Sequence, residues 1–358
     1  DLHSFPTRRS SDLRTLSPSF EPPARRPAPL RFYGTFGPSC RDEKTFCTLL
    51  EAGMTGMRLN LSHGDLDRCA DWLAAFRAAQ TCCGVTADLM IDLHGPELRI
   101  GTLPKPLALS RGGRVRLAAA PAPDAIPVPA AVLDALTPDQ PLLLDDGQIE
   151  LRAVTCIADS VCCRVIRGGR LESRKSLALP GISLDLPLLT ESDRHNLTLA
   201  RTCGVTQVMM PFVQSGGDIR KLREILAESR LEELTIFAKI ENRVGLDHLD
   251  GIIRETDWLV IARGDLGSAL PLWRLPAVQK AVAARCRAQN CPFMVVTQML
   301  DSMRRHPVPT RAEVCDVYNA VCDGAAALML TGETAAGNYP AEAMRYLVRT
   351  ATAEVVTL

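Results

Sequence analysis

The stretches Phe237-Ala238-Lys239-Ile240-Glu241-Asn242 and Trp258-Leu259-Val260-Ile261-Ala262-Arg263-Gly264-Asp265 decide how this chain is read. Each opens as an apolar run of strand length and ends in charged residues. A buried parallel strand reads as a continuous apolar run, and a barrel places its chemistry at the C-terminal ends of such strands. Lys239 and Glu241 are two apart, so on a strand they point to the same side. Asp265 arrives from the next strand. Two carboxylates beside one lysine make a divalent-metal site with a cation next to it, and oxygen ligands suit magnesium or manganese. A structural ion pair is the competing reading for one strand; two consecutive strands with the same layout favour the site.

Outward from these stretches the same rhythm recurs. Strands are expected at 32–36, 56–61, 86–93, 206–210, 234–240, 258–262, 292–297 and 326–330, and helices at 41–52, 66–82, 190–203, 216–229, 245–255, 274–289, 310–322 and 340–356. Eight strand–helix units close a (β/α)8 barrel. An open doubly wound sheet is the alternative, but it has no reason to stop at eight and no GxGxxG loop is present. The rhythm breaks over 102–178, which is rich in Gly, Pro and short β-like runs and predicts a small all-β insertion after the third strand. There it would sit over the active face as a lid. The expected organisation is a leader over 1–30, a barrel from 31–101 and 179–358, and a lid over 102–178. Residues 1–13 have neither a hydrophobic period nor a signal-peptide core; they resemble translated adapter read-through and are expected to be extrinsic. Residues 14–30 hold five Pro and predict an irregular segment.

Composition excludes several classes. The 358 residues are 46% hydrophobic, enough for a large core, and carry 41 basic and 41 acidic residues. A balanced charge argues against nucleic acid or an anionic membrane as partner, and no apolar run approaches a membrane span. The 13 Cys include no CxxC pair and no zinc-type Cys/His spacing, so they read as buried small hydrophobes in a reducing cytosol.

In a barrel, one face would collect Thr35, Arg58, Asn60, Ser62, Asp92, Glu97, Arg99, Lys239, Glu241, Asp265, Thr297, Gln298, Thr331 and Glu333. Two carboxylates set among a lysine and two arginines suggest an anionic, phosphorylated substrate held through a metal. Asn60, Ser62 and Asp92 offer oxygens for a second, monovalent cation, with plain strand-end hydrogen bonding as the competing reading. Gly264-Asp265-Leu266-Gly267 turns a helix N-terminus toward the site, where N–H groups favour a carboxylate or phosphate; a tight turn without ligand is the plainer account. Thr297 ends a strand, so its hydroxyl can reach the mouth; an ordinary β-branched strand residue is the competing reading.

Taken together, the segments Met57–Gly64, Gly95-Pro96-Glu97-Leu98-Arg99, Leu179-Pro180-Gly181, Ala238–Asn242, Ala262–Gly267, Thr297–Met303, Pro309–Glu313 and Gly332-Glu333-Thr334-Ala335 resemble the pyruvate kinase family in order and spacing. The resemblance implies phosphoryl transfer from phosphoenolpyruvate to ADP, with Mg2+ (or Mn2+) and K+ as cofactors. It implies that Lys239 stabilises the phosphoryl group in flight, that Glu241 and Asp265 hold the divalent metal, and that Arg58 grips the phosphate. The backbone at Gly264 and Asp265 would take the substrate carboxylate, and Thr297 would help protonate the enolate. Asn60, Ser62, Asp92 and the Leu93 carbonyl would hold potassium, a dependence for which Glu97 is the matching motif residue. Asn60, His63, Arg99 and, from the lid, Lys175 would meet the nucleotide. The family's usual Asp-Thr-Lys-Gly-Pro-Glu is here Asp92-Leu93-His94-Gly95-Pro96-Glu97, and Thr331 stands where Ser is common. The family's C-terminal regulatory domain has no counterpart in these 358 residues, which predicts hyperbolic saturation and no response to fructose 1,6-bisphosphate. A homodimer through the barrel and a cytoplasmic location complete the expectation. The rivals are a metal-dependent pyruvate-enolate lyase on a related barrel, which would need neither Lys239 nor the lid, and a non-catalytic ligand-binding paralogue.

Overall fold

The computed structural model describes residues 29–353 except 96, 97, 121, 123, 146, 158, 181, 183, 185 and 186. The leader, but for residues 29 and 30, and the motif residue Glu97 lie outside the described residues.

The first units are β1 (Arg31–Thr35), α1 (Glu43–Glu51), β2 (Gly56–Asn60), α2 (Ala70–Cys83) and β3 (Asp88–Asp92). Next come β4 (Leu107–Leu109), β5 (Arg114–Ala118), β6 (Ala125–Pro127), α3 (Ala130–Ala135), β7 (Pro141–Leu144), β8 (Ile149–Ile157), β9 (Ser160–Arg167), β10 (Gly169–Leu171) and β11 (Leu177–Ala178). The repeating units resume with α4 (Glu191–Cys203), β12 (Gln207–Met210), α5 (Gly216–Glu228), β13 (Thr235–Ile240), α6 (Arg243–Asp247), α7 (Leu249–Glu255) and β14 (Trp258–Ala262). Then follow α8 (Arg263–Ala269), α9 (Leu275–Ala288), β15 (Phe293–Val296), α10 (Arg311–Cys322), β16 (Ala327–Met329), α11 (Gly332–Ala335) and α12 (Pro340–Ala351).

Strands β1, β2, β3, β12, β13, β14, β15 and β16 pair in parallel in that order, and β16 returns to β1, closing an α/β barrel of eight strands. The segments between β3 and β12 make a six-stranded sheet, β11-β7-β8-β9-β5-β6, and a two-stranded ribbon, β10-β4, around their own apolar core. Sequence-predicted strand limits lie within two residues of the observed ones, and those of β14 coincide. The helix expected at 245–255 is two, α6 and α7, meeting at His248, whose backbone leaves the helical region.

The alternation of side chains along each strand sorts the barrel into two cores. Ile236, Ala238 and Ile240 of β13 face outward into the layer shared with the helices. Phe237, on the other parity, faces inward with Tyr33, Met90, Met209, Val260 and Met294. Phe237 stacks on Trp258 and meets Tyr33 edge-on, so the interior is filled rather than open. The helices begin where the sequence supplies caps: Asp42 accepts from the Thr45 N–H, Thr190 and Asp193 form a capping box, and so do Thr310 and Glu313. No helix among the described residues is long and apolar enough to cross a membrane.

Candidate active site

The inward parity that fills the barrel with apolar side chains continues upward into charge. Tyr33 is followed two residues on by Thr35, Met90 by Asp92, and Phe237 by Lys239; Arg58 and Asn60 share the inward side of β2, whose Met57 and Leu59 face the helices. The strand ends therefore deliver Thr35, Arg58, Asn60, Asp92 and Lys239 into one mouth without any special local structure.

Asp92 is the pivot of that mouth. Its Oδ2 accepts from Arg58 Nε at 2.9 Å and Arg58 Nη2 at 2.5 Å, and from Lys239 Nζ at 3.4 Å. Lys239 Nζ lies 2.6 Å from Glu241 Oε1, and Glu241 Oε2 accepts from the Phe212 N–H at 2.7 Å. Arg58 Nη1 also reaches Thr35 Oγ1. Two cations face two carboxylates, of which Arg58, Asp92 and Glu241 are buried and Lys239 is largely so, with Asp265 exposed at the edge in the first turn of α8. Burial disfavours the Lys239 ammonium, but Asp92 and Glu241 outweigh it and raise the pKa, so the lysine stays charged. Burial also pushes the Glu241 carboxyl up, Lys239 pulls it back and Asp265 pushes it further.

Two carboxylate oxygens of this cluster are incompletely satisfied. Asp92 Oδ1 is buried with no hydrogen-bond partner, and Glu241 Oε1 meets Lys239 at ion-pair distance without a well-directed hydrogen bond. A buried carboxylate oxygen left in this way is costly unless a cation meets it, so the donor set fits bound metal. Asn60 and Asp92 are register partners on β2 and β3; Leu93 follows directly, and the Ser62 N–H donates to Asn60 Oδ1, so the four residues expected around potassium are neighbours.

Thr297 closes the opposite side. Its φ is +69° and that of Gln298 +52°, the left-handed region that a β-branched residue rarely enters. The turn is held by Arg263, whose Nη2 donates to the Thr297 carbonyl at 2.8 Å and whose Nη1 pairs with Asp316 at 2.5 Å. Thr297 Oγ1 accepts from the Gly264 N–H at 2.8 Å, so that N–H, expected for a substrate carboxylate, has a partner in this state. Strain of this kind persists only where surrounding contacts over-determine it, and it clusters at functional sites.

The sequence-predicted nucleotide residues are less gathered. His63 ends a short 3-10 turn after β2 and is exposed. Arg99 and Lys175 sit where the small sheet joins the barrel: Arg99 bridges Ser176 and donates to the Arg174 carbonyl at 2.8 Å, while Lys175 pairs with Asp145 at 2.7 Å. The turn after β7 reaches over α8, since a Cβ at Gly147 would stand 3.7 Å from Ser268 Cβ.

The sequence reading missed three parts. Asp193, fully buried, accepts from the His94 and Gly95 N–H groups at 2.7 and 3.1 Å and so fixes the loop after β3; its capping-box spacing from Thr190 was the available signal. Gly95 is needed there, because at φ +60° a Cβ would press within 2.6 Å of Pro211. The Phe212 N–H and the Arg263 clamp left no signal in the pattern. His94, at the departure from the family motif, bonds the Leu61 carbonyl through its ring and ties the β2 and β3 loops together. The expectation that the cysteines are buried also fails in part: Cys82, Cys156 and Cys315 are exposed.

The family described as "Pyruvate kinase, barrel domain" matches residues 30–344. The chain belongs to the pyruvate kinase family. It is 37% identical over 328 residues to the pyruvate kinase of Bacillus licheniformis, covering 87% of this chain and 54% of that protein. To the pyruvate kinase of Clostridium acetobutylicum it is 34% identical over 323 residues, covering 88% and 68%. The crystal structure of a Cryptosporidium parvum pyruvate kinase superposes with a TM-score of 0.85 at 32% identity, covering 90% of this chain and 68% of that one. The chain thus spans little more than half the length of the Bacillus relative.

Proposed function

We propose that this chain catalyses pyruvate kinase-type phosphoryl transfer, from phosphoenolpyruvate to ADP, giving pyruvate and ATP. The observation that carries the reading is Lys239, a charged lysine whose side chain is only 13% exposed at the mouth between Asp92 and Glu241. Phosphoryl transfer asks the protein for positioning and charge neutralisation, and a preorganised buried ammonium supplies both without reorganisation. Arg58, held by Asp92, orients toward the phosphate. Thr297 offers a hydroxyl on a fixed, strained turn for proton delivery to the enolate. The first turn of α8, at Gly264 and Asp265, presents N–H groups to the substrate carboxylate once Thr297 Oγ1 releases the Gly264 N–H.

Glu241 and Asp265 would hold Mg2+ or Mn2+, and Asn60, Ser62, Asp92 and the Leu93 carbonyl would hold K+. When bound, these ions supply charge neutralisation and orientation of the phosphoryl oxygens. Asn60, His63, Arg99 and Lys175 are assigned to the nucleotide, with the small sheet over 102–178 acting as the lid. A homodimer through the barrel belongs to the same reading, and Leu272 and Trp273, 67% and 82% exposed, offer it an apolar surface. So does a cytoplasmic location. A lyase would have no use for a lysine held in this way, which disfavours that rival.

The test is pyruvate formation by the purified chain from phosphoenolpyruvate and ADP, coupled to NADH oxidation, with and without Mg2+ and K+. Metal-dependent turnover is expected. No pyruvate under saturating substrates and ions, from a chain shown to be folded, refutes the reading.

A further inference from the structure

The outside of the barrel carries a second cluster of ligating side chains, away from the mouth. Glu43 and Cys47 lie at i and i+4 on α1, so they project from one face of the helix. Cys82 comes from the last turn of α2, which packs against α1. Among the described residues, Glu43, Cys47 and Cys82 are the one set of three His, Cys, Asp or Glu side chains whose ligating atoms all lie within 4.8 Å of one another. Cys83 is adjacent, with its thiol 4.0 Å from the Cys47 carbonyl. Burial in a core does not account for the set, because Glu43 and Cys82 are exposed and Cys47 only half-buried.

We propose that Glu43, Cys47 and Cys82 form a binding site for a thiophilic divalent cation of the zinc class, with water as the fourth ligand. Two thiols and one carboxylate select a borderline-soft ion over magnesium or calcium, which prefer all-oxygen shells. Metal–sulfur bonds of about 2.3 Å require the donors to draw in slightly, which side-chain rotation on two packed helices provides. Binding one M2+ displaces one proton from each of Cys47 and Cys82, which leave to solvent, while the Glu43 carboxylate binds as it stands. The bound ion would join α1 to the end of α2 and so brace the outer layer of the first two barrel units. A cation bound only by the folded chain stabilises it, by an amount that grows with the logarithm of its free concentration above Kd.

Cobalt(II) is the probe. The reduced, metal-free full chain is titrated anaerobically with Co2+, following sulfur-to-cobalt charge-transfer absorption in the near-ultraviolet, and Zn2+ is then added in competition. The mouth offers oxygen donors and gives no such band, so the signal belongs to thiolate ligation alone. One equivalent of cobalt with this band, displaced by zinc, is expected in the parent chain. In Cys47→Ser and in Cys82→Ser the band is lost. Glu43→Gln, an exposed substitution that leaves the core untouched, weakens binding on the order of tenfold or more. Cys315→Ser, an exposed cysteine on α10, leaves the titration unchanged. Circular dichroism confirms that each variant is folded. The absence of a charge-transfer band in the parent, or a band that survives in both Cys47→Ser and Cys82→Ser, overturns the proposal.

Discussion

The lower barrel interior and the barrel mouth are built from the same strands and the same inward parity, two residues apart, yet they are opposite in chemistry. Below, Tyr33, Met90, Phe237, Val260 and Met294 fill the barrel with apolar side chains. Above, Arg58, Asp92, Lys239 and Glu241 crowd four charges into a space almost as closed, with one oxygen each of Asp92 and Glu241 lacking a hydrogen bond. The first arrangement is what stability alone would select. The second costs desolvation, which ion pairing outweighs at Lys239 but not at Glu241, and a ligand or ion would complete the carboxylate oxygens it leaves without hydrogen bonds. Fold and function are thereby separable by a step of two residues along one strand.

Removing charge from the mouth should have the largest effect. If they hold the divalent metal as proposed, Glu241→Gln and Asp265→Asn should each lower turnover on the order of a thousandfold or more, because the ligand set would lose a charge aimed at the reacting group. The fold should persist, since the amide oxygen introduced by Glu241→Gln can still accept the Phe212 N–H and Lys239 keeps Asp92. Steady-state rates at saturating magnesium, with circular dichroism alongside, check this; near-normal activity in either variant removes that residue from the metal site.

Below the mouth the effect moves from chemistry to stability. Phe237→Ala should cost about 3–5 kcal/mol by leaving a cavity between Tyr33 and Trp258, read by denaturant unfolding. Turnover per folded molecule should change far less than in the mouth variants. A thousandfold loss from Phe237→Ala would dissolve the division between the two regions.

The strained turn gives a smaller effect of opposite sign. Thr297→Gly should relieve a left-handed φ that costs about 1–3 kcal/mol, offset by the ~1 kcal/mol entropy of a glycine, for a net gain of about 1 kcal/mol in stability. Activity should fall with the hydroxyl, and Thr297→Ser should retain it. A destabilised Thr297→Gly would mean that the Gly264 hydrogen bond matters more than the strain. Smallest is the rim: Arg243→Ala removes an exposed i,i+4 pair with Asp247 and should shift stability by no more than about 0.5 kcal/mol.

Much of this was legible from local pattern. The apolar runs ending in charge announced β13 and β14, the strand–helix rhythm announced the barrel, and a period of two put Lys239 and Glu241 on the same side. What stayed hidden depends on long-range geometry or on backbone atoms. Asp92 was expected at a monovalent cation but is also the partner of Arg58 and Lys239, 34 and 147 residues away in sequence. The Phe212 N–H that holds Glu241 is indifferent to its side chain. Thr297 looked like an ordinary β-branched strand end, and only the Arg263 clamp explains how its φ is tolerated. Cys47 and Cys82 meet across two helices, so no spacing rule for short metal motifs could register them.

Whether the largely buried lysine of the mouth serves phosphoryl transfer is decided by measuring two activities of Lys239→Met in one preparation: pyruvate formation from phosphoenolpyruvate and ADP, and metal-dependent proton exchange at the methyl group of pyruvate. Their ratio does not depend on how much of the variant is folded. Transfer should fall on the order of a thousandfold or more, while exchange, which the proposed roles assign to the carboxylates and Thr297, should survive far better. Equal and small losses in both activities would contradict the account.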